Sequence, residues 1–337
     1  MTAIPEDHER YGGLLTTRGG RRVVAHYGRP ERTYRAVRNV AGVIEHGFGV
    51  VTVSGPERRA AVGQSLTNTL PDTDGGVYGF VLEGDAIQTD TYVFDVGDRL
   101  LGVVPSGRVE DVLDAWSGSG RSVTETTRDV AVFGVYGPEA TEAVASVCSA
   151  TTPESALAIA RGSIRDVGVT IIRDDGVTGE EGYLVVASDE DASETFDAMV
   201  NRGLNAAPFG YETWATLTLE AGTPLWTDLH GATPATVGVS NAFADGSTPQ
   251  SLDSRLYGFT AESTPAQDAT VSVDGEVVGR VTRSRDSPAL ERSIGFAILD
   301  VATDATWTIG DDRIGATNAT LPFVEGSDQS ARVPSPE

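Results

Sequence analysis

Between Asp174 and Tyr183 the chain reads Asp-Asp-Gly-Val-Thr-Gly-Glu-Glu-Gly-Tyr, with Gly176, Gly179 and Gly182 three apart among four carboxylates. That spacing is read as a tight turn entering a strand over 183–187. Further on, Gly222 and Pro224 break a mixed helical and apolar stretch just before Trp226. Glycines so placed let a backbone approach something closely, either a ligand or another strand. Two loops with good turn chemistry account for the same residues without any ligand, and composition by itself favours that reading.

The rest of the chain alternates short strands and helices. Its 337 residues give room for roughly two or three domains. Residues 1–30 are polar and Arg-rich and are expected to lie over the body as an arm. A helix is predicted over 31–39, a strand over 49–53 ended by Ser-Gly-Pro, and a helix over 58–70 with Ala61, Val62, Leu66 and Leu70 on one face. Strands over 76–82, 87–96 and 100–104 and a helix over 108–116 complete an α+β unit. A second unit opens near 120–130: strand 130–135, Gly137-Pro138, helix 139–147, strands 167–173 and 183–187, helix 192–202. Strand, Gly-Pro, helix thus occurs twice, about 80 residues apart, a hint of internal duplication. From 253 to 325 short strands at regular spacing, with Asp274-Gly275 as a hairpin turn, predict a small β-barrel. Residues 247–251 are read as its linker and 326–337 as a flexible tail.

Composition excludes several partners. There are 49 acidic residues against 25 basic ones, a net charge of −24, and all 25 are arginine. A surface this acidic repels phosphates and anionic lipids, so neither nucleic acid nor a membrane is an expected partner. The charge and the lack of lysine fit a salt-loving source, where salt screens repulsion. Cys148 is the single cysteine, so no intramolecular disulfide forms, and it is read as a small hydrophobe rather than a nucleophile. The four histidines lack metal-ligand spacing, so no metal is expected. No leader or membrane span is visible, and a soluble cytoplasmic protein is expected.

Four stretches in one order resemble the glycine-cleavage T-protein (aminomethyltransferase) superfamily, which also holds folate-binding iron–sulfur maturation proteins and folate-dependent demethylases. They are Arg35-Ala-Val-Arg-Asn-Val-Ala-Gly-Val43, Val135-Tyr-Gly-Pro-Glu-Ala140, Val177-Thr-Gly-Glu-Glu-Gly-Tyr183 and Leu217-Thr-Leu-Glu-Ala-Gly-Thr-Pro-Leu225. Gly279-Arg-Val-Thr-Arg-Ser284 and Ser293-Ile-Gly-Phe-Ala-Ile-Leu-Asp300 resemble the family's barrel strands. The resemblance implies two ferredoxin-like α+β subdomains over 31–248 and a barrel over 253–325, with tetrahydrofolate in the central hole. It implies aminomethyl transfer in one-carbon metabolism, with Asp90 as the essential carboxylate and a lipoyl carrier protein as a possible partner. Glu180, Tyr183, Glu220 and Trp226 are the candidate folate contacts. The alternative is a non-catalytic module serving iron–sulfur assembly or acting as a scaffold.

The chain departs from the family's pattern in places that matter. Val177 stands where the signature begins with Tyr, Leu184 where a Glu holds the pterin edge, and Thr218 where an Arg precedes Leu-Glu-Ala-Gly. The family's Lys-Gly segment is replaced by Ala244-Asp-Gly-Ser-Thr-Pro249. These changes predict weak folate affinity unless Glu180 or Glu181 substitutes.

Overall fold

The computed structural model describes residues 2–71, 74–233, 254–300 and 306–332. The linker expected at 247–251 and the segment that replaces Lys-Gly lie outside the described residues.

Two sheets face one another. The first is antiparallel, in the order Gly75–Glu83, Ala86–Asp95, Arg99–Val104, Gly49–Ser54, Ser122–Glu125. The second has the order Ile159–Ile164, Val167–Arg173, Gly182–Ser188, Val130–Tyr136, Gly42–His46, Ala207–Pro208. Gly42–His46 therefore joins the second sheet although it precedes every strand of the first. Because side chains alternate along a strand, each sheet has an inner and an outer set. Val50, Phe80, Phe94 and Val103 face Ile44, Val132, Ile172 and Leu184 between the sheets. The outer sets pack under helices: Val93 and Leu100 with Val112 and Trp116 of Val109–Trp116, and Phe133 and Val185 with Phe196 of Ala192–Arg202.

Both Gly-Pro turns occupy the same place in their sheets. Gly55 (φ 103°) follows Gly49–Ser54 and Gly137 (φ 137°) follows Val130–Tyr136, each opening a six-residue helix, Arg58–Gly63 and Ala140–Ala145. These helices are shorter than the expected 58–70 and 139–147. After Gly63 the backbone is recruited by the neighbouring strand: Thr67 N–H donates to Phe80 O at 3.1 Å and Asn68 Nδ2 to Tyr78 O at 2.6 Å. Leu66 and Leu70 still reach the core they were expected to reach.

The third unit is a closed barrel in the order Arg255–Ala261, Arg292–Leu299, Glu276–Ser287, Thr270–Val273, Thr306–Ile309, Ile314–Ala319. Asp274 and Gly275 both take positive φ, as the hairpin predicts. The N-terminal residues form the helix Pro5–Arg10 and the hairpin Leu14–Arg18/Arg21–His26. They are held down by a buried cluster in which His8 Nε2 lies 2.5 Å from Glu45 Oε2 and the Tyr27 hydroxyl 2.6 Å from His8 Nδ1. Among the described residues no helix is long and apolar enough to cross a membrane.

Candidate active site

Along Ala86–Asp95, period-two alternation turns Asp90, Tyr92 and Phe94 toward the gap between the sheets. Asp90 is 3% exposed. With Tyr78, Tyr92, Trp214, Trp226 and Arg332 it lines a cavity of about 260 Å³. The Tyr78 hydroxyl donates to Asp90 Oδ2 at 2.7 Å, while Asp90 Oδ1 has no hydrogen-bond partner among the described residues. A buried carboxylate oxygen left bare is costly unless something else binds it.

Arg332 is the buried cation of this cavity. It is 8% exposed and sits over the Tyr92 and Tyr78 rings, 4.7 and 5.3 Å from their centroids, with Nε donating to the Tyr92 hydroxyl at 2.6 Å. Tyr92 donates in turn to Asp174 Oδ1 at 2.7 Å, and Tyr136 donates to Asp174 Oδ2 at 3.2 Å. His46 Nε2 lies 3.2 Å from the Tyr136 hydroxyl. Burial draws the His46 pKa down to about 3, so the ring is neutral and the network assigns its proton to Nε2. Burial raises the Asp90 carboxyl, and Arg332 and the Tyr78 hydrogen bond act against it. Asp174 is pushed up to about 6, again by burial, against the pull of Arg332 and both tyrosines.

The route by which Arg332 arrives explains the glycine loop. Asp328 N–H donates to Gly179 O at 2.9 Å, and Gln329 and Ser330 then cross Gly176. A Cβ on Gly176 (φ 74°) would lie 2.3 Å from the Gln329 carbonyl carbon. Of the two close approaches that the sequence left open, the structure shows chain against chain. The segment expected to be a flexible tail therefore packs as far as Arg332, since its hydrogen bonds and a buried cation fix it; residues 333–337 lie outside the described residues.

Of the five candidate site residues, Asp90 and Trp226 share the cavity, with the Arg108 guanidinium 4.7 Å above the Trp226 ring. The other three lie elsewhere. Tyr183 points to the outer face of its strand, where its hydroxyl meets Thr141 Oγ1 and Arg173 Nη1, both at 3.0 Å. Glu180 is half-buried, 3.6 Å from Arg38 Nη1. Glu220 is fully buried between the helix Pro30–Asn39 and the barrel, bonded by Tyr34 (2.6 Å), Arg38 (2.7 Å) and Ser287 (2.6 Å). Neither Glu180 nor Glu181 takes the place of the absent pterin carboxylate: Glu181 Oε2 accepts from Thr141 N–H at 3.0 Å, and Leu184 is buried among apolar neighbours. Thr218, where the resemblance places an arginine, receives a guanidinium from the barrel instead. Arg283 donates to Thr218 Oγ1 at 2.9 Å and Thr223 O at 2.8 Å and pairs with Asp228 at 3.1 Å. Tyr78 and Tyr92 were not singled out from sequence, although Asp90-Thr-Tyr92 on one strand put the second on the face of the first.

Comparison with known proteins gives this cavity a lineage. The family model described as GCVT N-terminal domain matches residues 5–243, and that described as glycine cleavage T-protein C-terminal barrel domain matches 255–325. The chain belongs to the glycine-cleavage T-protein family. Relatives include the aminomethyltransferase of Streptomyces avermitilis, 29% identical over 348 residues and covering 92% of this chain and 91% of its own. That of Corynebacterium aurimucosum is 26% identical over 88% of each chain. A probable aminomethyltransferase of Haloarcula marismortui is 26% identical over 88% of this chain and 89% of its own, so the family has members in salt-loving archaea. The crystal structure of glycine cleavage system aminomethyltransferase T from Bartonella henselae superimposes with a TM-score of 0.83 at 17% identity, over 96% of this chain and 98% of that one. The T-protein fold is thus retained at low sequence identity.

The family implies tetrahydrofolate. The cavity has two features that fit its ring: flat aromatic walls in Tyr92, Trp214 and Trp226, and a bare Asp90 Oδ1 suited to a nitrogen-borne hydrogen.

Proposed function

We propose that this T-protein family member is a tetrahydrofolate-dependent one-carbon transferase of the aminomethyl type, with Asp90 as its catalytic carboxylate. The observation that carries the reading is the bare Oδ1 of Asp90, buried and turned into an aromatic cavity. When bound, tetrahydrofolate supplies the ring nitrogen that receives the one-carbon unit. Asp90 Oδ1 accepts a hydrogen from a nitrogen of the reacting pair, or lies against positive charge as it develops there. A fixed anion in a water-poor cavity stabilises that charge more than water does, because it needs no reorganisation. Tyr78 holds Oδ2 and so aims Oδ1. Arg332 favours the ionised form of Asp90, the form that the chemistry needs, against the burial that disfavours it. Trp226, with Arg108 stacked on it, adds a further aromatic wall. Arg18 also lines the cavity and is exposed, which marks the side where a donor on a lipoyl carrier would enter.

Equilibrium binding of tetrahydrofolate at multimolar salt tests the reading. Asp90→Asn and Trp226→Ala should each weaken binding at least tenfold, the loss that about 1.4 kcal/mol of contact brings. Glu180→Ala, outside the cavity, should leave it within twofold. Wild-type protein that binds no folate would remove the reading and leave the scaffold role.

A further inference from the structure

The gap between the sheets holds a second cavity, of about 340 Å³, on the far side of Val103, which lines both. Its walls are Val50, Phe94 and Val103 from the first sheet and Val132, Ile172 and Val186 from the second. Its charged lining residues, Arg99 and Asp129, are both solvent-exposed and lie at its outer end. The hydroxyls of Thr52 and Thr126, also in the lining, bond each other at 2.9 Å. Leu184 lies in the same inter-sheet core. Among the described residues no buried carboxylate or cation lines this space.

Elsewhere between the sheets the same core is filled by large side chains, among them Tyr78, Phe80, Tyr136 and Trp214. Here four wall positions are valine, so the space is set by small residues at sites where leucine or phenylalanine would close it. Apolar walls facing a void lose their dispersion contacts, and the volume is that of a small-molecule site. The half-buried polar lining is three threonines, Thr52, Thr126 and Thr170, the first two bonded to each other, so the greater part of the wall is apolar.

We propose that this second cavity binds an uncharged hydrocarbon group, aromatic or branched aliphatic. The site is separate from the Asp90 cavity and does not depend on the one-carbon reading.

Fluorescence titration of the full chain with N-phenyl-1-naphthylamine, an uncharged aromatic probe, at multimolar salt tests this. The wild type should bind it saturably. Val186→Phe, which fills the cavity, should weaken binding at least tenfold, while Ile172→Ala, which enlarges it, should change the affinity several-fold and still bind. Circular dichroism checks that both variants fold, and either one suffices to move the affinity. Trp226→Ala, which alters only the first cavity, should leave probe binding unchanged. Absence of saturable binding would overturn the proposal. So would binding lost in Trp226→Ala and retained in Val186→Phe. Loss of folate binding in Asp90→Asn with the probe still bound would leave this inference standing, so the two readings fail separately.

Discussion

Asp174 shows what one buried carboxylate does to a site. It accepts from both Tyr92 and Tyr136, yet burial outweighs those bonds and lifts its pKa to about 6 from 3.8. A raised folded pKa means that the native state binds more protons than the unfolded chain between those two values, so stability falls as pH rises through that window. The cost is complete above about pH 6 and amounts to about 3 kcal/mol at about 1.4 kcal/mol per unit. Asp174→Asn carries no such titration. Urea unfolding at pH 4 and pH 7 should show wild type losing about 2 kcal/mol more than the variant over that interval, less than the full cost because the unfolded carboxyl is already more than half ionised at pH 4. Equal losses would mean that Asp174 is better solvated than its burial implies. In the sequence Asp174 reads as a turn acid, because nothing local shows that two tyrosines from distant strands converge on it.

At the level of elements, the sequence was legible wherever periodicity was strong. The helix Ala192–Arg202 and the barrel strand Arg292–Leu299 fall where the pattern puts them. Ile159–Ile164 and Ile314–Ala319 were not visible, since each carries a glycine and little apolar alternation; the second closes the barrel. The place of Asp90 on an inward-facing strand was legible through the family resemblance. Arg332 was not, because a polar segment rich in Ser, Asp and Gln has no periodicity from which to predict docking. The glycine loop that receives this segment offers the element's own test. Gly176→Ala puts a Cβ against the Gln329 backbone at a positive φ, with strain of about 1–2 kcal/mol. The segment should lift away, with faster amide exchange over 327–332. Tetrahydrofolate binding should weaken with it, because Arg332 leaves the Asp90 cavity. Unchanged exchange would mean that the loop yields and the segment stays.

Across the whole molecule, the helix Pro30–Asn39 and the barrel are joined through Glu220. Its carboxylate takes Tyr34 and Arg38 from that helix and Ser287 from the barrel, and its backbone carbonyl takes the Phe323 and Val324 N–H groups. Removing one partner of a buried charge pair costs more than the pair contributes, because the other charge stays behind. Glu220→Ala leaves Arg38 with Thr178 O at 2.6 Å and the half-buried Glu180 at 3.6 Å, and the lost charged hydrogen bonds should destabilise the protein by on the order of 2 kcal/mol, read as a lower denaturant midpoint. A change under about 1 kcal/mol would reduce Glu220 to an ordinary buried contact. From sequence Glu220 was a candidate ligand contact; the barrel, which supplies Ser287, lies too far along the chain for local reading to suggest otherwise.

The packing of Arg332 also sets an order of events during synthesis. The strand that carries Asp90 leaves the ribosome long before the residue that supplies the cavity's cation, and the barrel is made between them. The sheets, the barrel and the seam at Glu220 can all form while the cavity still holds an uncompensated acid. Pairing of that buried acid with its cation therefore comes last, after the sheets and the barrel have been made.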